Sequence, residues 1–492
     1  MEFSFYKGAR GSLVAPDGTE VSGPELLERA NAISNTLRSL GLQPGDCVAM
    51  VMSNCTEVFE LYLATSQIGL YLIPVNWHFA GPEIAYVIED SGVKVLVCSP
   101  EHADSCRLDV VRYCTAPVEG FEDFASLRGG STAAPEGRLA GGIMNYTSGT
   151  TGRPKGVKRP LPPCEPEPVV TNYAAFLLMY GLTPGSGTHL VTSPLYHTAV
   201  LYFASSALHL GHRLVVMDRF TAEGTLERIE RYRVDSSHMV PTHFNRLLAL
   251  EGRERFDTSS LQAMVHSAAP CPIGVKQAML DWWGDCIYEY YAATEGGGTM
   301  ASPSDWRQRP GTVGRPWQGA EIAIYEDGEQ LGPDQVGTVY IKMQQGFEYH
   351  QDPEKTKQAW DVPGFFTVGD IGYLDEEGFL FLCDRKADLI IRGGVNIYPA
   401  EIEAALVMHP DVLDVAVFGV PDEDLGEQVK AVVEGRAGLT EAALIDWAKE
   451  RVGAYKVPRS VDFVDSLPRD PNGKLAKRKL RDPYWEGLGR SI

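Results

Sequence analysis

No run in this 492-residue chain reaches the roughly 18 consecutive apolar residues that crossing a bilayer requires. The opening residues, 1–10, carry no apolar core of a secretory leader either. Both absences point to a cytoplasmic protein with no transmembrane segment. Positive charge is scarce: 44 lysines and arginines face 65 acidic residues, for a net charge of −21. That balance excludes a nucleic-acid partner, which needs a basic face. Any anion site must therefore be locally basic against an unfavourable overall field. No Cys-x-x-Cys pair occurs among the nine cysteines. Cys98, Cys106 and Cys114 are evenly spaced near His102, a spacing that suits a metal set. Buried free thiols in a reducing compartment are the favoured reading. No internal repeat is visible.

What is present is ordinary globular composition, 44% hydrophobic and 22% charged. The length exceeds one typical core, so two or more domains are expected. The first third alternates helix and strand signals. Ser22-Gly23-Pro24-Glu25 reads as a capping box opening a helix through Leu26, Ala30, Ile33 and Leu37, stopped at Gly41. A buried strand is expected over 46–52, and a second helix from near Asn54, with Glu57 in the reciprocal capping position, to about Ile68. A strand over 71–75, a helix over 82–89 and a strand over 93–98 follow. Repeated βα units predict a mostly parallel sheet covered by helices.

The proline-rich run 159–168 is expected to be extended and exposed. Further βα-like segments continue to about Met300. Short strands with Gly and Asp turns over 312–382 predict a small β subdomain. Beyond Arg385 a compact α+β piece is expected: helix 399–408, strands 412–420 and 428–434, helix 440–452. The domain boundary is placed at about 386, giving units 1–386 and 387–492.

Between the early βα units and the proline-rich run stands Tyr146-Thr147-Ser148-Gly149-Thr150-Thr151-Gly152-Arg153-Pro154-Lys155-Gly156-Val157. It holds three glycines, four serine or threonine hydroxyls and one lysine in twelve residues. Glycines let backbone N–H groups approach a ligand closely, hydroxyls donate to oxygens, and lysine adds a point charge. The combination describes a polyphosphate cradle; a flexible linker is the bland alternative, disfavoured by Lys-Gly-Val running into apolar sequence. The NTPase phosphate-loop spacing fails, because Gly156 follows Lys155. No Gly-x-Gly-x-x-Gly follows an expected strand, so a dinucleotide fold of the usual kind has no support.

Later segments supply further chemistry. Tyr288-Glu289-Tyr290-Tyr291-Ala292-Ala293-Thr294-Glu295 runs into Gly296, Gly297 and Gly298. A ring, a hydroxyl and a carboxylate before a glycine turn suit a nucleotide, with the ring on the base, the hydroxyl on phosphate and the carboxylate toward Mg²⁺. A tyrosine-rich buried strand explains Tyr288 and Tyr290 but not the ending. His197 follows Pro194-Leu195-Tyr196, and a lone histidine is usually structural. Asp370 closes Thr367-Val368-Gly369-Asp370, where ordinary turn chemistry is the plain reading. The remaining segments are His266-Ser267-Ala268-Ala269-Pro270, Asp384 to Glu403 with Arg392-Gly393-Gly394, and Pro468-Arg469-Asp470-Pro471-Asn472-Gly473-Lys474-Leu475.

Taken in order, these segments resemble the motifs of the adenylate-forming superfamily, which includes acyl-CoA synthetases, luciferases and peptide-synthetase adenylation domains. At least six match over nearly the whole chain, and the chain is similar to bacterial fatty-acyl-CoA ligases. The resemblance implies an α/β fold with a large N-terminal domain of βα-layered sheets and a small mobile α+β C-terminal domain. It implies ATP, Mg²⁺ and coenzyme A, with a small-molecule carboxylic acid as substrate. Thr147, Ser148, Gly149, Thr150, Thr151, Gly152 and Lys155 then hold the β- and γ-phosphates, Thr294 the α-phosphate and Glu295 the metal. Ala268, Ala269, Pro270, Tyr291 and Ala292 surround the adenine, and Asp370 and Arg385 hold the ribose. His197 stands beside the carboxylate pocket, Lys474 reaches in for adenylation, Ala387 is the hinge, and Arg392, Gly393 and Gly394 lie at the pantetheine tunnel.

Three positions depart from the family pattern: Ala292 where glycine is usual, Val368 where threonine is usual, and Ala387 where lysine or aspartate is usual. The acid is expected to be apolar, with 172–182 and Ala199, Val200, Leu201, Tyr202 and Phe203 offering lining, although core packing explains those as well. Rival readings are a ligase loading a carrier protein, an enzyme specialised in one half-reaction, and a non-enzymatic binding module. Oligomeric state is not legible, and a homodimer stays open.

Overall fold

In the segment Cys47–Val51 every residue is buried, and alternate side chains leave on opposite faces of the strand. Val48 and Met50 enter one hydrophobic core, while Cys47, Ala49 and Val51 enter another. A strand buried on both faces belongs inside a parallel sheet covered on each side. The computed structural model, which describes residues 3–147, 154–343, 346–385, 388–469 and 475–486, builds that arrangement. Among the described residues a six-stranded parallel sheet carries this strand centrally, and a nine-stranded sheet forms the second layer. The interior of the nine-stranded sheet is parallel, from the strand Thr188–Val191 through Ser236–Met239 and Ala263–His266 to Ile287–Ala293, with antiparallel edges.

The helices Gly23–Ser39, Thr56–Ser66 and Thr198–Leu210 lie between the two sheets. Leu26, Ile33, Phe59, Leu63, Phe203 and Leu208 share one core with Val48 of the first sheet and Val191 of the second. Each such fully buried side chain contributes about 1.5–3 kcal/mol relative to exposure. Outer helices cover the far faces: Ala222–Tyr232, Pro241–Leu248 and Ile273–Trp283 on the nine-stranded sheet, and Gly81–Asp90 on the six-stranded one.

The first helix starts where expected, at Gly23, but both expected caps are corrected. Ser22 caps its helix by accepting from Glu25 N at 3.4 Å, but Glu25 turns to Arg29 instead of completing a capping box. Arg29 in turn reaches the fully buried Glu60, which also takes two hydrogen bonds from Arg128. The second helix begins at Thr56, not near Asn54, and Glu57 pairs with Arg128. Asn54 ties the layers together: its amide donates to Ser193 O and Met217 O, each at 2.9 Å, and its oxygen accepts from Leu195 N at 2.8 Å. These bonds satisfy backbone groups at strand ends that burial strips of water.

The run expected to be extended and exposed over 159–168 stays half-buried or exposed outside helix and strand through residue 165, and is corrected over its last three residues. Pro166 opens a helix, Pro166–Phe176, as proline does at a first turn, and Glu167 is buried against Arg138. The small β subdomain is present as a five-stranded antiparallel sheet built on Ala320–Glu326, Gly337–Met343, Asp370–Leu374 and Leu380–Arg385. The C-terminal piece is α+β: helix Pro399–Leu406, strands Val412–Asp422 and Gly426–Gly435, helix Glu441–Lys449 capped by Thr440, and a parallel strand Ser460–Phe463. Cys98, Cys106 and Cys114 are buried free thiols. Among the described residues no helix is long and apolar enough to cross a membrane.

Candidate active site

The strand Ile287–Ala293 turns back into Gly296–Ala301 as a hairpin, and its register slips between Ala292 and Ala293. The slip leaves Thr294 and Glu295 at the turn. Gly298 follows with φ +151°, where an added Cβ would stand 2.0 Å from Tyr291 O, so only glycine closes this turn. Glu295 is 6% exposed and accepts from Tyr349 Oη at 2.7 Å. The guanidinium of Arg159 donates to Thr294 O.

Strand pairing assembles the next group. Asp370 and Arg385 are opposite partners on the antiparallel strands Asp370–Leu374 and Leu380–Arg385, which brings Arg385 Nε to 3.3 Å from Asp370 Oδ1. The other carboxylate oxygen of Asp370 accepts from Tyr291 Oη at 2.6 Å. Burial first, and then the Asp370 charge, push the Tyr291 hydroxyl well above the usual tyrosine range. At Val368 the side chain packs with the subdomain core, and the neighbouring Thr367 hydroxyl is already used, donating to Val339 O and accepting from Gly369 N.

The segment 267–270 leaves the strand Ala263–His266, with Ala268 at φ +73° in the left-handed region that a non-glycine residue rarely occupies. Ser267 Oγ lies 2.8 Å from His238 Nε2. At the strand end from which the segment leaves is a buried polar cluster: Lys276 Nζ lies 2.6 Å and His266 Nε2 3.5 Å from Glu289 Oε2. His197 precedes the helix Thr198–Leu210, with its ring 4.0 Å from that of Tyr196. Its Nε2 is shielded from solvent and has no hydrogen-bond partner among the described residues. Burial holds this imidazole well below the usual histidine range, so it is neutral at pH 7.

Thr147 and Lys155 pair across the antiparallel strands Asn145–Thr147 and Lys155–Lys158. Ser148, Gly149, Thr150, Thr151 and Gly152 lie outside the described residues, as do Ala387 and Lys474. Lys155 Nζ is held by Asp352 Oδ2 at 2.8 Å.

One cavity of about 1630 Å³ collects most of these groups. Thr147, His197, Ala268, Ala269, Pro270, Tyr291, Ala292, Thr294, Glu295, Asp370 and Arg385 all line it. So do Arg469 and Leu475, which form an antiparallel bridge and flank the segment that carries Lys474. Arg392, Gly393 and Gly394 do not: Arg392 donates to Tyr455 O, and Gly393 N donates to Leu425 O at 2.7 Å. The two readings of the apolar segments divide by residue. Tyr173, Phe176, Ala199 and Tyr202 face the cavity, Val200 and Phe203 are core residues that also line it, and Leu177, Tyr180, Leu182 and Leu201 are core alone.

Sequence reasoning did not single out Arg159, Tyr349 or Lys355, all of which line the same cavity. Arg159 sits in the run read as exposed. Tyr349 and Lys355 belong to Tyr349-His350-Gln351-Asp352-Pro353-Glu354-Lys355, whose Asp-Pro cap was the available signal.

Known proteins resemble this chain over most of its length. A model of the AMP-binding enzyme family matches residues 7–348, and a model of the AMP-binding enzyme C-terminal domain matches 401–474. The chain is 32% identical over 472 residues to the long-chain-fatty-acid–CoA ligase FadD13 of Mycobacterium tuberculosis, covering 92% of this chain and 91% of that protein. It is 29% identical to the fatty acid–[acyl-carrier-protein] ligase ScoC of Streptomyces coeruleorubidus, over 97% of this chain and 94% of that one. Among solved structures, ATP-bound MatB from Rhodopseudomonas palustris superposes with a TM-score of 0.86 at 29% identity, with 100% of both chains covered. Motif order, cavity and matched span agree: the chain belongs to the AMP-binding enzyme family.

Proposed function

We propose that this protein is an acid–thiol ligase that uses ATP to activate a largely apolar carboxylic acid and passes the acyl group to coenzyme A. The observation that carries the reading is the cluster of Tyr291, Asp370 and Arg385, facing one cavity together with Thr294, Glu295 and the segment flanking Lys474. A carboxylate is a poor electrophile because resonance and charge resist attack by a thiolate. In the first step its oxygen attacks the α-phosphorus of ATP, the bond to the β-phosphate bridging oxygen breaks, and pyrophosphate leaves. In the second step the thiolate attacks the acyl carbonyl, the carbon–oxygen bond to phosphate breaks, and AMP leaves.

Positioning and charge neutralisation dominate such transfers. Asp370 and Arg385 are assigned to the ribose, with Tyr291 and the segment Ala268-Ala269-Pro270 around the base. Thr294 is assigned to the α-phosphate, His197 to the substrate carboxylate as a neutral donor, and Lys474 to the oxygens that gain charge during adenylation. Arg392, Gly393 and Gly394 are assigned to the thiol-side tunnel in a second placement of the C-terminal unit, which turns about Ala387. This division sets the domain boundary at about 386. Mg²⁺ fits the residues present: the buried carboxylate of Glu295 faces the cavity at the glycine turn, and this cation is commonly held by one or two carboxylates plus substrate phosphates. When bound, it neutralises phosphate charge.

The test is incubation of the purified enzyme with ATP, coenzyme A and a panel of acids, read as AMP and acyl-CoA by mass spectrometry. Acid-dependent AMP and thioester formation is expected, and its absence across the panel would overturn the reading. The likeness to ScoC motivates a second reading, in which the acceptor is a carrier-protein thiol. AMP release with a phosphopantetheinylated carrier but not with free coenzyme A would select that reading.

A further inference from the structure

The lysine of the phosphate segment is already engaged. Lys155 Nζ is 2.8 Å from Asp352 Oδ2, and Lys155 does not line the cavity. Lys355 does, beside Thr147, Glu295 and Gln358. Its placement follows from the fold: Asp352 caps the helix Pro353–Ala359, accepting from Lys355 N at 3.0 Å, and so spans both lysines. The Lys355 ammonium lies 5.0 Å from the centre of the Tyr349 ring, whose hydroxyl holds Glu295.

We propose that Lys355 is the catalytic residue that places positive charge on the β- and γ-phosphates of ATP, and that Lys155 acts through Asp352 as its positioning residue. The inference deepens the ligase reading and rests on it. The Asp352 carboxylate is committed to the Lys155 ammonium and to the backbone N–H of Lys355, which leaves the Lys355 ammonium facing the cavity with no ion pair among the described residues, placed for a polyphosphate that a nucleoside monophosphate does not extend to. In a net acidic protein such a cavity-facing ammonium supplies a local cation for an ATP ligand.

Burial and the adjacent Lys155 charge bring the Lys355 ammonium down to about 8, while Glu295 and Asp352 oppose that shift. Of the other groups facing it, the Asp352 carboxyl is held below its ordinary value by Lys155. Burial pushes the Tyr349 hydroxyl above the tyrosine range, so neither group titrates near pH 8. Lys355 therefore loses its charge, and polyphosphate affinity should fall, as pH rises through about 8.

The test uses full-length protein with two probes, MgATP and AMP, by isothermal titration calorimetry from pH 7 to 9.5. Lys355→Gln should weaken MgATP on the order of 10- to 100-fold, as loss of a charge-assisted hydrogen bond does, and leave AMP unchanged. Unchanged AMP binding doubles as the folding control. Lys155→Gln should weaken MgATP less, and Lys355→Arg should restore affinity and flatten the pH dependence. Lys355→Gln binding MgATP like the parent, or losing MgATP and AMP equally, overturns the inference and leaves the ligase reading standing. A parent protein that binds neither probe overturns both.

Discussion

Tyr291 Oη and Asp370 Oδ2 meet at 2.6 Å across 79 residues of chain, joining the glycine-turn hairpin to the β subdomain. Asp370→Ala removes the acceptor of this bond and the partner of Arg385 together. It should weaken AMP binding by about 1.5–3 kcal/mol, the range for hydrogen bonds to charged groups. Tyr291→Phe should cost less, because Asp370 and Arg385 remain. Calorimetric titration with AMP checks the order, and equal losses would refute it.

Lys474→Ala should reduce acid-dependent pyrophosphate exchange by about 10²–10³, the usual effect of deleting one transition-state donor. Conversion of supplied acyl-AMP and coenzyme A to thioester should persist, since adenylation is already complete. Loss of both half-reactions to the same extent would remove the role assigned to this lysine.

The pair Lys276–Glu289 is buried and 2.6 Å apart, and Glu289 stands opposite His266 at the strand end from which the segment 267–270 leaves. Lys276→Met strands a buried carboxylate and should cost about 3–5 kcal/mol, read as a shift in urea midpoint. Lys276→Met combined with Glu289→Leu should recover a large part of that loss. No recovery would mean that Lys276 acts by shape and not by charge.

Burial brings His189, His209, His238 and His243 down to about 3, against an ordinary value near 6.5. The unfolded chain binds protons at these sites below about pH 6.5 while the folded chain does not, so stability falls as pH drops from about 6.5 toward about 3. Each such histidine costs about 1.4 kcal/mol at pH 5.5. Denaturant midpoints at pH 7.5 and 5.5 should differ accordingly, and equal midpoints would contradict neutral burial.

Local periodicity made the βα layers legible. The strand Val93–Cys98 and the helix Gly23–Ser39 follow from apolar spacing, a cap and flanking turns. Asn54 was misread because its partners, Ser193, Leu195 and Met217, lie at least 139 residues away, and nothing local distinguishes a cap from a tie between sheets. The proline-rich run looked exposed since its buried Glu167 has its arginine on a different segment. At the site, motif order identified many of the residues that face the cavity, together with Lys155, Arg392, Gly393 and Gly394, which do not line it. It did not identify Lys355, whose meaning depends on Lys155 meeting Asp352 across 197 residues.

Tyr349 sits opposite Val157 in the strand pairing, while its hydroxyl grips Glu295. The strand that begins at Lys155 and the carboxylate at the glycine turn are thereby joined through one rigid ring. Their relative orientation is fixed when the chain folds, so the entropy of aligning them is lost once per molecule and not once per turnover.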